Sequence, residues 1–400
     1  MDGLRGLPDC IHAGSEYLQA RYIPENMLKE SSASRSPGLD MARALAIAAV
    51  LAAHSGLFFA RFWRDMNGFS FWSGVFGVEL FFVLSGLLIG KILFRDVLPH
   101  CSFRKMGIFF LRRWMRTLPA YYAVLALLVI YAFAAQAPLP HIWRYAAFLQ
   151  NCPPEYAAFF PVSWSLSVEQ WAYIAIPPLL LTAAHLPFSA SREWRMLWGI
   201  VAAVAFCAMI RLYAAADAPA LWDEDFRKQV PFRLDAVLFG VGAAWLRQYR
   251  PGIHARLGHV FVFAASVSLL WIFARHYSGA VFQPEGNVFL KSFGFSVIDM
   301  SLALSLCFLD CSAELRHALD PAALPGKLAL LGSRYAYSVY LVHWTPFIFF
   351  SQQAEKSSLP GVMAFYIGAL AVTFITAYML YRMIEEPCMR IRPKFSSTDI

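Results

Sequence analysis

The chain has 400 residues, 59% of them hydrophobic and only 15% charged, with a mean hydropathy of +0.51. A water-soluble globule of this size needs more polar surface than that, so composition excludes a soluble domain and puts the chain in a bilayer. Its net charge of +8 is spread over segments that flank apolar stretches instead of gathering on one face, which argues against a nucleic-acid partner.

In chain order, Met1 to Gly38 mix charge, Ser, Pro and Gly without a long apolar run, and read as a mobile cytoplasmic extension and not a signal peptide. Crossing roughly 30 Å of hydrocarbon takes about 20 helical residues. On that scale about ten spans are predicted: Asp40 to Phe59, Val75 to Arg95, Arg116 to Ala135, Val162 to Thr182, Met196 to Tyr213, Phe232 to Leu246, Val260 to Arg275, Ser292 to Leu309, Arg334 to Phe350 and Gly361 to Met383. The sixth and seventh are short enough to be tilted, broken or re-entrant. The fold class expected is therefore an all-α polytopic membrane protein, with a membrane domain over 39–387 and a short cytoplasmic tail over 388–400. No second catalytic domain is expected after the last span.

With a cytoplasmic amino terminus, the predicted cytoplasmic segments carry 23 of the 34 Lys and Arg and the opposite side carries 8. Arg43, Arg211 and Arg233 fall inside spans. This bias predicts that both termini face the cytoplasm. The longest outside connections, Gln136 to Pro161 and Ala214 to Pro231, are placed to cover an external cleft; the second carries Asp217, Asp223, Glu224 and Asp225. Of seven cysteines only Cys152 lies in a predicted external loop, which argues against a disulfide framework. Cys307 and Cys311 are too few for a structural zinc site, and no metal is expected.

Ionisable side chains inside spans are costly and mark candidate sites. Arg43 and His54 are 11 residues apart on the first span, which returns to nearly the same helix face and separates them by about 16 Å along the axis. Glu169, about 10 Å below the external boundary on the fourth span, is expected at the depth of His54. Ser165 shares its face. Glu79, Arg233 and Asp235 are expected in the same layer, with Arg233 and Asp235 open to a second reading as a structural ion pair. His343 and Asp299 read more readily as structural. Arg112, Arg113 and Arg116 stand together at the predicted cytoplasmic mouth of the third span, where guanidinium forks suit phosphate or, equally, anionic lipid.

These stretches together resemble the acyltransferase 3 family of bacterial integral-membrane acyltransferases, over nearly the whole chain from Gly38 to Pro387. The resemblance is carried by Arg43 and His54 with ten residues between them, Gly77-Val78-Glu79-Leu80-Phe81-Phe82-Val83-Leu84-Ser85-Gly86, and the Arg-Arg-x-x-Arg-x-x-Pro pattern from Arg112 to Pro119. It continues in Trp164-Ser165-Leu166-Ser167-Val168-Glu169, Arg233-Leu234-Asp235 with Gly240, Ser338-Val339-Tyr340-Leu341-Val342-His343-Trp344, and Glu386-Pro387. Met41-Ala42 stands where the family often has Gly-Leu, and Gln170 where an acid is common. Neither departure removes a candidate catalytic group.

The resemblance implies a bacterial inner-membrane O-acyltransferase, with acetyl-CoA or another acyl-CoA as donor substrate, no tightly bound cofactor, and a carbohydrate hydroxyl at the cell surface or on a lipid-linked glycan as acceptor. In that frame Arg43, Arg112, Arg113 and Arg116 are candidates for binding the donor, and His54 is the candidate catalytic base or acyl-carrying nucleophile, with Glu169 or Glu79 orienting it. Ser165, Arg233, Asp235 and His343 are candidates for binding substrate. The competing reading is a transporter or flippase with a midplane polar site; the sequence shows no repeated halves to favour it.

Overall fold

The computed structural model describes residues 36–391 except 64, 100–102, 152–158, 188, 217–220 and 278–286. Most of the predicted extension, Cys152, Asp217 and residues 392–400 therefore lie outside the described residues. Among those described, the secondary structure is helical without strands. The principal helices are α1 (Pro37–His54), α2 (Met66–Ile92), α3 (Phe103–Ala134), α4 (Ser163–His185), α5 (Arg192–Ala216), α6 (Val230–Tyr249), α7 (Val260–Tyr277), α8 (Val288–Cys311), α9 (Leu324–Val342), α10 (Trp344–Ala354) and α11 (Leu359–Leu380).

Among the described residues, seven stretches are long and apolar enough to cross a bilayer: Pro37–Phe59, Met66–Val97, Arg104–Ala134, Arg192–Ala215, Val260–Tyr277, Val288–Cys311 and Leu359–Ile391. The other three predicted spans coincide with α4, α6 and the α9–α10 pair, which are not among the seven. The reason lies in their content. Helix α4 carries Ser163, Ser165, Ser167, Glu169 and Gln170, α6 carries Arg233 and Asp235, and α9 carries Ser333, Arg334 and Ser338. The seventh predicted span, doubted for its brevity, is among the seven as α7.

The core is built from α1, α2, α6 and α9, where α2 packs most extensively on α6 and α1, and α1 on α9. Helix α8 is mostly buried, while α7 and α11 are mostly exposed at the periphery. The α2–α6 seam depends on two glycines: a Cβ on Gly86 would come within 1.9 Å of the Val237 carbonyl oxygen, and one on Gly240 within 1.9 Å of that of Val83. Small residues at such a seam let two backbones approach closely, the usual route to tight helix pairing without a hydrophobic driving force.

That close approach sets the polar chemistry of the core. Glu79 of α2 bonds to Arg233 of α6 and lies 3.5 Å from Arg227. Arg233 also reaches Asp299 of α8 at 3.3 Å and lies over the Phe295 ring at 4.0 Å. Asp235 pairs with Arg211 of α5 at 2.8 Å. Three carboxylates and three guanidinium groups thus balance in a buried cluster that ties together α2, α5, α6 and α8, since charges out of water persist only when paired and hydrogen-bonded.

Candidate active site

Helix α1 runs unbroken from Arg43 to its last residue, His54, so the 11-residue spacing holds as about 16 Å of helix. The two side chains open onto different cavities. Arg43 lines a cavity together with Ser85 of α2, Arg113, Arg116 and Thr117 of α3, Ser165, Glu169 and Tyr173 of α4, and Tyr337 and Tyr340 of α9. His54 lines another together with Ser70, Phe71 and Gly74 of α2, Trp164 of α4, Asp223, Arg227 and Lys228 of the loop before α6, and His343 and Trp344. Among the described residues the two linings share only Val78 and Tyr340. The Tyr340 hydroxyl is fixed there by Ser165 Oγ at 2.5 Å and the Val162 carbonyl at 3.0 Å.

The arginine cavity is cationic in an unusual way. Arg113 stacks over Tyr173 with its guanidinium carbon 5.7 Å from the ring centroid. Neither the Arg113 nor the Arg116 guanidinium has a hydrogen-bonded or ion-paired carboxylate among the described residues. Two guanidinium forks with unspent donors suit a phosphate-bearing or other anionic ligand. Arg43 is held more firmly, donating to Ser333 Oγ at 2.6 Å and lying 3.4 Å from Asp40. Arg112 does not line the cavity.

Glu169 and Glu79 are both placed away from His54. Glu169 lies with Ser165 and Tyr173 along one face of α4, the i, i+4, i+8 stripe, and accepts from Ser85 Oγ at 2.5 Å and from the Tyr173 hydroxyl in the arginine cavity. Counting along the helix left open which face Glu169 takes. Glu79 is enclosed in the ionic cluster, and so are Arg233 and Asp235, which line neither cavity. Among the described residues no carboxylate is bonded to His54. Its ring neighbours are His343, with centroids 5.1 Å apart, and Trp344, edge-on at 4.9 Å.

His343 sits at the break between α9 and α10. Its Nδ1 lies 2.8 Å from the Tyr340 carbonyl and 3.2 Å from that of Val339, two acceptors that make Nδ1 the protonated nitrogen. Nε2 is buried without a hydrogen-bond partner.

The histidine cavity is rimmed by the π-helical segment Trp222–Arg227, whose Asp223 bonds Arg227 at 2.7 Å and Lys228 at 2.8 Å. Burial pushes the Asp223 carboxyl up, but Arg227 and Lys228 outweigh it and hold it below the usual carboxylate range. Arg227 also lies over the Trp164 ring at 4.8 Å. Sequence reading missed Arg227, Lys228, Tyr173, Tyr337 and Tyr340 as cavity residues. Only Tyr340 carried a signal, its place three residues before His343 in a quoted motif.

The acyltransferase domain model of the acyltransferase 3 family matches residues 36–382. The chain belongs to the acyltransferase 3 family. Its long apolar helices make it a multi-pass membrane protein. Among curated relatives it is 25% identical over 393 residues to the peptidoglycan O-acetyltransferase OatA of Listeria monocytogenes, covering 88% of this chain and 55% of that protein. It is 27% identical over 377 residues to YrhL of Bacillus subtilis, provisionally named a peptidoglycan O-acetyltransferase, covering 88% of this chain and 54% of that protein. The chain thus spans little more than half the length of these relatives. No solved structure matches it.

Proposed function

We propose that the protein transfers an acyl group, acetyl in the first instance, from an acyl-CoA thioester entering on the cytoplasmic side to a carbohydrate hydroxyl in the histidine cavity. The observation that carries this reading is α1 itself, which presents Arg43 to one cavity and His54 to the other. Arg113 and Arg116 take the donor's phosphates, and the thioester arm runs along α1 past Arg43, a path of about 16 Å. Orientation follows the charge bias: ten spans, both termini cytoplasmic, and the arginine cavity opening inward.

Phe71, Trp164 and Trp344 line the histidine cavity and offer the flat apolar faces on which sugar rings settle. Peptidoglycan, the acceptor named for the Listeria relative, is the acceptor class we favour. His54 takes the hydroxyl proton as the oxygen attacks the thioester carbon. The tetrahedral anion collapses with cleavage of the carbon–sulfur bond, and the thiolate recovers the proton from His54, leaving an ester and a free thiol. Glu169, held by Ser85 and Tyr173, shapes the arginine cavity through which the arm passes.

The test is label transfer from radioactive acetyl-CoA in membranes containing the wild-type protein or His54→Ala, with separation of labelled glycan. Loss of a positioned base costs about 10²- to 10⁴-fold in rate, so incorporation should disappear with His54→Ala while the protein still inserts. Equal incorporation removes His54 from the reaction. Transport of glycan without thioester consumption replaces the enzyme reading with a carrier. Parallel lines when both substrates are varied would replace direct transfer with an acyl-histidine.

A further inference from the structure

We propose that His343 is the positioning partner of His54, filling with a neutral imidazole the place that a carboxylate occupies in most histidine-based acyl-transfer sites. The inference rests on the acyl-transfer reading above and adds a residue that acts through His54.

Three observations converge. First, His343 has a fixed tautomer, because the Tyr340 and Val339 carbonyls at 2.8 and 3.2 Å both demand a proton on Nδ1. Its Nε2 is therefore a lone pair, and it is buried without a donor in the wall of the histidine cavity. Buried acceptors are ordinarily satisfied, so one left open on a cavity wall is free to take a donor. Second, the side chain lying against that wall is His54, with ring centroids 5.1 Å apart and planes tilted by 32°. Rotation about the side-chain bonds of His54, half-buried at the end of α1, turns a ring N–H toward Nε2 without moving the backbone. Third, no acid competes for the role. The one carboxylate lining this cavity among the described residues is Asp223, and both Arg227 and Lys228 hold it.

The chain of protons then reads from the acceptor hydroxyl to one His54 nitrogen, from the other His54 N–H to His343 Nε2, and from His343 Nδ1–H to the Tyr340 carbonyl. As the hydroxyl gives up its proton to His54, the opposite His54 proton moves to Nε2, and both return when the thiolate departs. No electrons or further reactants are needed. The positive charge that forms is spread over two rings and faces two carbonyl dipoles, which offset part of the repulsion from Arg227 and Lys228 on the same cavity. The break between α9 and α10 places the His343 ring against these carbonyls.

The test uses His343→Asn and His343→Gln in the full-length protein in membranes, with His54→Ala alongside. The Asn amide keeps a donor toward the Tyr340 carbonyl and has no atom at the Nε2 position; the Gln amide oxygen reaches it. Two readouts are taken: kcat and KM for acetyl-CoA with soluble lysozyme-digested peptidoglycan as acceptor, and the rate of His54 carbethoxylation by diethylpyrocarbonate, read by mass spectrometry without any acceptor. His343→Asn should lower kcat at least 100-fold with both KM values within threefold, and slow His54 modification at least fivefold. His343→Gln should recover tenfold or more in kcat over Asn. A His343→Asn protein with kcat and His54 reactivity within threefold of wild type overturns the proposal. Equal losses in both variants with raised KM reduce His343 to packing. An active His54→Ala protein removes His54 from the reaction and the proposal with it, whereas a wild-type protein that consumes no thioester sinks the acyl-transfer reading instead, and the reactivity of His54 then still decides whether the two rings are coupled.

Discussion

Replacing Glu79 with Gln removes one charge from the buried cluster and changes almost nothing in shape. The three carboxylates Glu79, Asp235 and Asp299 balance Arg211, Arg227 and Arg233, so Glu79→Gln leaves one uncompensated guanidinium out of water. At 3.5 Å and an effective dielectric near 20, the attraction between Arg227 and Glu79 is about 5 kcal/mol, and the contact with Arg233 is of similar size. Relief of repulsion from Asp235 and Asp299 offsets part of this. The net loss expected is the 3–5 kcal/mol typical of breaking a buried pair, or a fall in apparent melting temperature of about 4–6 °C for a chain of this length. Heating detergent-solubilised protein and following the monodisperse fraction by gel filtration measures it. Removing Arg227 as well, in Glu79→Gln/Arg227→Gln, takes away the uncompensated charge while Asp223 keeps Lys228, so the double variant should be about 2 kcal/mol more stable than the two single losses sum to. A Glu79→Gln protein as stable as wild type, or strictly additive losses, would refute the claim that charge balance holds this core.

Arg113→Ala and Arg116→Ala should each raise KM for acetyl-CoA by about ten- to a hundredfold, the worth of one charge-assisted hydrogen bond, and leave KM for the acceptor unchanged; initial rates over a donor series check this. Gly240→Ala forces a methyl group against the Val83 carbonyl and should cost about 1–3 kcal/mol of stability through overpacking, read in the same thermal assay. Asp223 gives a pH prediction. Because its carboxyl is held below the usual range by Arg227 and Lys228 against the effect of burial, its contribution is fully present above the unfolded carboxylate value near 4 and is lost as pH falls through the lower folded value. The loop 221–229 should therefore resist proteolysis at pH 5 as at pH 7 and become labile below about pH 3.5; loosening already at pH 5 would contradict the pairing.

Helix positions were legible in the sequence because hydropathy reports a bilayer directly. The three predicted spans that fall short in apolarity are α4, α6 and the α9–α10 pair, two of them bearing Glu169 and Arg233, so the residues that blur the hydropathy signal are those that make the core polar. The Arg43–His54 relation was also legible, since it rests on helical repeat along one element. What could not be read was which face of α4 turns Glu169 toward Ser85 and not toward His54, or that Glu79 answers Arg233 across the Gly86–Gly240 seam. Those depend on packing between helices far apart in sequence, where a rotation of one helix exchanges one partner for another.

The wall formed by Val78 and Tyr340 bears on the cell's energy supply. Two cavities that share Val78 and Tyr340 put a membrane protein at risk of leaking ions wherever they join, and a leak dissipates the gradient that a membrane holds. Tyr340, held at its hydroxyl by Ser165 and the Val162 carbonyl, stands in both linings, so the donor's arm and any leaking ion would pass beside the same ring.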